Sequence, residues 1–447
     1  SRAFARATPP RLRRPPPSGG HPPKGQSMGN QLASSQQPDY NNLPDIGSAL
    51  TFQERLGGGR FLKTLKCVNE DGILVVKVYF KRDPGLSLAS YEEMLTEVRA
   101  KLTVNGAPNV MPFRWFKESP HAAYLVRQYF HANLLERLSS PPFLSLIEKK
   151  WLAFQLLQAV QQCHAAGVCH GDIKAENVLL TSMNWLFLTD PATFKPASLP
   201  QDDPADFSYF FNSSARRSCY LAPERFVDPS SLSAPSLPAA HGAMASTAGG
   251  RLTPAMDVFS LGCVLIELLR EGEPCFDLPQ LLRYRRAALD PATGLAQDLE
   301  PALAKAAEAG GKHGKAFAQL LREMTARSPE ARPSAEACLR RARGGFLPEV
   351  FSSLVHPFLG EIRLLDHTRQ AELLCERADQ LVRALGPSGG GGGGGGGCGC
   401  GGGGDGGDGG CDGMPAADVA SPTGAAGAAG TAGAAGAAGA AGAAGAA

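Results

Sequence analysis

The stretch His170-Gly171-Asp172-Ile173-Lys174-Ala175-Glu176-Asn177 sets a carboxylate, an ammonium and an amide oxygen within six residues of one another. Phosphoryl transfer needs such a set. Asp172 would take the proton of an attacking hydroxyl, Lys174 would hold positive charge beside the moving phosphoryl, and Asn177 would offer an oxygen to magnesium. Asp190 follows 18 positions after Asp172, at the end of an apolar run. It is a second acid that could meet a metal, or a strand-end residue that caps a turn. Lys77 lies in Val75-Val76-Lys77-Val78. Apolar strand neighbours would bury its stem and aim its ammonium at phosphates, although a lone strand lysine more commonly points outward.

The eight-residue stretch resembles the catalytic loop of protein kinases, His-Arg-Asp-x-x-x-x-Asn. A polar loop that merely links a helix to a strand is the alternative, and four matched positions between suitable elements weigh against it. The resemblance extends to the metal and nucleotide residues. Asp190-Pro191-Ala192 stands where kinases carry Asp-Phe-Gly. There Pro191 restricts the backbone of Asp190 and Ala192 lacks the freedom of glycine. The partner of Lys77 would be an acid on the following helix. Glu93 and Glu97 share one helical face; Glu93 is accounted for by a capping box with Ser90, and the spacing to Val110-Met111-Pro112-Phe113 in kinases favours Glu97. Leu56, Gly57 and Gly59 would form the lid over the nucleotide, with Leu62 and Thr64 at the places of the third glycine and the valine. A flexible hairpin turn accounts for the glycines equally well. Ala222-Pro223-Glu224, Asp257 and Arg332 match scaffold positions of the same fold. Gly171 replaces the arginine that pairs with a phosphate on the activation segment, so no phosphorylation switch of that kind is expected.

The elements that must position these groups alternate strand and helix signals over residues 41–346. Residues 51–56, 61–66 and 73–79 read as strands, with Asp71-Gly72 marking a tight turn. A helix is expected near Tyr91, and a long apolar one over 151–166 stopped by Gly167. Two short strands, 177–181 and 185–189, should follow, then a buried helix over 255–271 closed by Gly272. Few strands first and many helices after predict an α+β, two-lobed protein-kinase-like fold, with a small β-rich N-lobe, a large helical C-lobe and disordered ends. Residues 1–40 form the expected disordered N-terminal segment, 41–346 the kinase domain, 347–386 a helical segment, and 387–447 a disordered Gly/Ala-rich tail. The Ser/Ala/Pro/Gly-rich stretch 228–254 is expected to be a mobile surface insert.

The chain of 447 residues is 43% hydrophobic with a net charge of +2. Arg2, Arg6, Arg11, Arg13, Arg14 and Lys24 put +6 into residues 1–27, which leaves −4 for the rest. A mildly acidic body gives no electrostatic case for nucleic acid. The 11 cysteines contain no Cys-x-x-Cys pair and are expected to be free thiols. The cleanest apolar run, 261–269, is interrupted by Glu267 and is too short to span a bilayer. The Arg-rich start has the charge of a transit peptide, but Pro9, Pro10 and residues 15–17 would break its helix. Met28 is the expected start of the native protein.

Further blocks narrow the resemblance: Trp151-Leu152-Ala153-Phe154-Gln155, Pro204-Ala205-Asp206-Phe207, Cys219-Tyr220-Leu221-Ala222-Pro223-Glu224-Arg225-Phe226 and Met28-Gly29-Asn30-Gln31-Leu32-Ala33. Together they resemble the regulatory protein-kinase subunits of class III phosphatidylinositol 3-kinase complexes. That resemblance implies a serine/threonine protein kinase using ATP and Mg2+, with Asp172 and Lys174 catalytic, Asn177 and Asp190 on the metal, and Leu56, Gly57, Gly59, Lys77 and Glu97 around the nucleotide. It implies partnership with the lipid kinase catalytic subunit and its autophagy adaptor subunits, a protein substrate, and a role in endosomal trafficking and autophagy. A myristoyl anchor on Gly29 would make the protein cytoplasmic and peripheral on late endosome, Golgi and autophagosomal membranes. Residues 347–386 would begin a set of HEAT-type repeats. The rival expectation is a nucleotide-binding pseudokinase scaffold that anchors and restrains the lipid kinase, favoured by Leu62, Thr64, Gly171, Pro191 and Ala192.

Overall fold

The computed structural model describes residues 50–57, 59–70, 72–212, 218–228, 250–286 and 299–385. Gly29, the expected site of lipidation, Gly58, residues 229–249 of the insert and the 387–447 tail lie outside the described residues.

Strands β1 (Thr51–Gly57), β2 (Lys63–Asn69) and β3 (Gly72–Phe80) form an antiparallel meander. Asn69 pairs with Gly72, and Gly72 takes φ +120°, which favours glycine. Helix α1 (Ala89–Val104) then crosses to β4 (Val110–Met111), β5 (Trp115–Glu118) and β6 (Ala122–Gln128). The sheet order is β1-β2-β3-β6-β5. Strand alternation divides it cleanly. Leu65, Cys67, Val76, Val78, Tyr124 and Val126 bury one face. Lys77, Tyr79, Leu125 and Arg127 therefore face the other side. The register aligns Gly57, Thr64, Lys77 and Leu125 across four strands, which brings the end of the glycine turn into line with Lys77.

Helix α1 buries Leu95, Val98 and Leu102 at helical spacing. Its start departs from expectation. The N-cap is Leu88, without a side-chain cap, and no Ser90–Glu93 box forms. Instead Glu118, at the end of β5, accepts the Leu88 N–H at 3.0 and 3.1 Å. A carboxylate from a neighbouring strand has taken over the local capping role.

The helical lobe begins with β7 (Ala132–Asn133) and α2 (Leu134–Ser139) and is organised by α3 (Leu146–Ala165). A capping box between Ser145 and Glu148 opens α3 five residues earlier than the apolar pattern predicted, and Gly167 at φ +69° ends it. Strands β8 (Val178–Leu180) and β9 (Leu186–Thr189) pair below the cleft, and β10 (Leu199–Pro200), α4 (Pro204–Phe210) and β11 (Phe226–Val227) follow. Helix α5 (Pro254–Leu269) is buried along nearly its whole length and packs on α3. Further helices, α6 (Leu278–Arg286), α7 (Glu300–Ala309), α8 (Gly314–Met324) and α9 (Ala335–Ala342), complete the lobe.

Past α9, a wide turn at Phe351–Val355 leads into α10 (His356–Ile362) and α11 (His367–Leu385). The first part of this segment is part of the lobe. Phe351 packs on Trp151 with ring centroids 5.2 Å apart, His356 stacks on Trp185 at 4.8 Å, and His356 Nε2 meets Asn109 Oδ1 at 2.6 Å. The eight described cysteines are free thiols. Among the described residues no helix is long and apolar enough to cross a membrane.

Candidate nucleotide and phosphoryl-transfer site

The loop between α3 and β8 is held from below. Asp257 on α5 accepts the backbone N–H groups of His170 at 2.7 Å and Gly171 at 2.8 Å, and meets His164 Nε2 at 3.1 Å. Burial pushes its carboxyl upward, but the hydrogen bonds from His164 and the loop outweigh this and hold it below the ordinary carboxylate range. His170 spans to the next strand through Nε2, 2.8 Å from the Thr189 carbonyl. The loop and the end of β9 are thereby tied together, which fixes Asp172 relative to Asp190.

Asp172 is buried and carries three close contacts. Asn177 Nδ2 donates to its carbonyl at 2.7 Å and to Oδ2 at 3.3 Å. Lys174 Nζ lies 3.4 Å from Oδ2, and also donates to the Phe211 carbonyl at 3.1 Å. Lys195 Nζ lies nearest, at 2.7 Å. Burial alone would raise the Asp172 carboxyl; the charges of Lys174 and Lys195 reverse that and keep it ionised. Lys195 itself is brought down to about 8, by burial first and by Lys174, with Asp172 opposing.

On the sheet side, Lys77 Nζ lies 2.6 Å from Asp190 Oδ2. Arg127 Nε donates to Asp190 Oδ1 at 3.0 Å and its Nη2 to Oδ2 at 3.4 Å. Burial pushes the Asp190 carboxyl up and these two cations push it further down, so it stays ionised. Asp190 adopts φ +63° although it precedes proline, a conformation costing on the order of 1–3 kcal/mol for a non-glycine residue. Its side chain bonds two buried cations.

The expected Lys77–Glu97 pair is not formed. Glu97 is exposed and bonds Lys101 at 2.6 Å, one helical turn along α1. It lines a cavity of about 530 Å³ between α1 and the catalytic loop, with Met94, His164, Cys169 and Lys195. Each group has another partner: Asp190 holds Lys77, and Lys101 holds Glu97. Phe61 packs on Tyr79, Phe194, Tyr209 and Phe210 with centroids 5.1–6.1 Å apart. Tyr79 lies two residues beyond Lys77 on the same face of β3. Phe194, Tyr209 and Phe210 therefore pack beside Lys77 on the cleft face of the sheet. Leu56 is 42% exposed, and Lys63 Nζ donates to the Gly59 carbonyl at 2.8 Å.

Gly171 takes φ +77°, and a Cβ there would come within 2.7 Å of Leu252 Cδ1, so an arginine would be strained at this place. A different arginine bridges the loop to the following segment. Arg225, 1% exposed, donates to the carbonyls of Gly171 at 2.6 Å, Pro196 at 2.8 Å and Ala197 at 2.8 Å. Burial lowers it to about 10, with Asp172 and Asp257 opposing. Arg225 thus fastens the following segment to the loop through backbone carbonyl acceptors.

The structure thus brings Lys77, Asp190, Asp172, Asn177 and Lys174 to one cleft and leaves Glu97 outside it. Sequence reasoning missed Arg127, Lys195 and the clamp made by Arg225. Arg127 was signalled by a charge directly after the apolar run Ala122-Ala123-Tyr124-Leu125-Val126; Lys195 and Arg225 had no local signal. For the groups a kinase would hold, the fit is divided. Nucleotide phosphates suit the cations Lys77 and Arg127. Asp190 and Asn177 have the hard oxygens magnesium takes, but both Asp190 oxygens are committed to Lys77 and Arg127. In this arrangement they do not present a free carboxylate to a metal. Among the described residues no group of three or more His, Cys, Asp or Glu is placed to hold a metal ion.

Residues 50–342 match the protein kinase domain family, and the chain belongs to that family. Within it, the chain is 46% identical over 334 residues to the serine/threonine-protein kinase VPS15 of Arabidopsis thaliana, covering 74% of this chain and 21% of that protein. It is 39% identical over 356 residues to a probable serine/threonine-protein kinase vps15 of Dictyostelium discoideum, covering 79% of this chain and 17% of the relative. Identity to the Saccharomyces cerevisiae serine/threonine-protein kinase VPS15 is 35% over 316 residues, 70% of this chain and 20% of the relative. The chain spans about a fifth of the length of the curated relatives it matches.

Proposed function

We propose that this chain is a serine/threonine protein kinase domain that binds ATP between its two lobes and works as part of a class III phosphatidylinositol 3-kinase complex. The convergence of Lys77 and Asp190 with Asp172 and Asn177, across 113 residues of sequence, carries the catalytic part. Lys77 meets phosphate oxygens. Asp172 takes the hydroxyl proton, and Lys174 stands beside it to offset charge on the phosphoryl group. The names of the relatives support the assignment to the complex. On the sequence resemblance, the proposed partners are the lipid kinase catalytic subunit and its autophagy adaptors. A lipid anchor at Gly29 would hold the assembly on late endosome, Golgi and autophagosomal membranes. Thermal shift of the full chain with ATP tests nucleotide binding: ATP should raise the melting temperature, and Lys77→Met should abolish the rise. An equal rise in the variant would remove Lys77 from the site.

One arrangement favours a second reading, a nucleotide-holding scaffold with little transfer. Lys195 covers the carboxylate that must act as base, so a substrate hydroxyl has to displace an ammonium. The protonated lysine makes the stronger cover, and it loses its proton as pH rises through about 8. Transfer should therefore increase across that range. Lys195→Met should raise transfer below it and flatten the profile. A variant profile that still climbs like the wild type would show that Lys195 does not gate Asp172. The stability sign follows from the same shift. Between about 8 and the ordinary 10.5, the unfolded chain binds a proton that the folded chain has released, so this group makes stability rise with pH there.

A further inference from the structure

Arg127 is the one cation at Asp190 that the kinase motif does not supply. We propose that Arg127 takes the place of a divalent metal ion at Asp190, so that nucleotide binds in this cleft without magnesium. The inference rests on the nucleotide-binding function proposed above.

Its position comes from the pleat of the sheet. Arg127 pairs with Val75 across β3 and β6, and Lys77 pairs with Leu125, so the two cations are diagonal neighbours on the cleft face. Both reach the same carboxylate. All three guanidinium nitrogens are committed: Nε and Nη2 to the two Asp190 oxygens, and Nη1 to the Gln128 carbonyl at 3.0 Å. The side chain is only 8% exposed. The head group is therefore held in one orientation, a forked contact that an ammonium could not make.

The charge at this point is already balanced. An ionised aspartate beside polyphosphate repels it, and a metal dication ordinarily bridges the two. Here Asp190, Lys77 and Arg127 together carry a net charge of +1 with no metal counted. Arginine stays protonated at any working pH. To take Asp190 as a ligand, a metal ion would have to compete with Arg127 and Lys77 for its oxygens, and displacing Arg127 would leave a buried guanidinium with only the Gln128 carbonyl. The phosphates instead meet a preformed cationic patch in which Asp190 orients Lys77 and Arg127.

The test is ATP binding to the full chain by calorimetry, in magnesium chloride and in EDTA. Wild-type affinity should differ less than about threefold between the two buffers, whereas Arg127→Met should lose about tenfold or more in EDTA and recover with magnesium, once Asp190 has an oxygen to offer. Wild-type binding that collapses in EDTA overturns the proposal, as does an Arg127→Met protein that binds in EDTA like wild type. If the variant fails to fold, the wild-type pair of titrations decides by itself. Absence of ATP binding in both buffers would overturn the underlying nucleotide function and this inference with it; binding in magnesium alone overturns only the inference.

Discussion

Replacing Asp172 with asparagine is expected to lower phosphoryl transfer to a serine peptide by about 10²–10⁴-fold while ATP affinity stays near wild type. The substitution keeps the shape and an acceptor oxygen for Lys195 and Asn177. It removes the negative charge, and with it the capacity to take a proton. The cations proposed to meet the phosphates, Lys77 and Arg127, bond Asp190 rather than Asp172, which is why binding should be spared. Transfer measured with labelled ATP on both proteins is the check. Equal activity in the two would remove Asp172 as the base. Nucleotide binding with no transfer in either would favour the scaffold reading, in which Lys195 keeps Asp172 permanently covered.

Glu224→Ala should produce the largest loss of stability, about 3–5 kcal/mol, because it leaves a buried guanidinium uncompensated. Arg332 has a fully buried side chain and bonds both Glu224 oxygens, at 2.7 and 2.8 Å. It also donates to the carbonyls of Ala326, Ala255 and Arg327 and lies over the Phe259 ring. One guanidinium thus fastens the end of the activation segment to α5 and to the turn before α9. With the carboxylate gone, the carbonyls still hold the charge in an apolar surround. Urea unfolding of the wild type and of Glu224→Ala and Glu224→Gln measures the effect. A loss under about 1 kcal/mol for the alanine variant would mean that the pair is solvated, as surface ion pairs are. Glutamine should fall between, since it preserves one acceptor while losing the charge.

The difference between what was legible in the chain and what was not follows the range of the interactions. Strand alternation, the Gly167 and Gly272 helix ends, and the loop His170–Asn177 depend on neighbours a few residues away. Short-range preferences therefore put Asp172, Lys174 and Asn177 in one loop, which Asp257 and Thr189 then hold in place. Even locally, a competing partner can win. The Ser90–Glu93 cap gave way to Glu118, thirty residues distant, because a fixed carboxylate on a strand loses less freedom than a side chain in the helix's first turn.

The sequence alone determined the two-lobed class, the family and the residues that could do chemistry, because those are written in local spacing and periodicity. Only the tertiary structure decided which charges meet. Lys77 pairs with Asp190 at the end of β9, while Glu97 on α1 pairs with Lys101 one helical turn along. Arg127 and Lys195 reach the two acids across gaps of 63 and 23 residues. Packing chooses such partners, since a buried charge must take whatever opposite charge the surrounding core brings within reach.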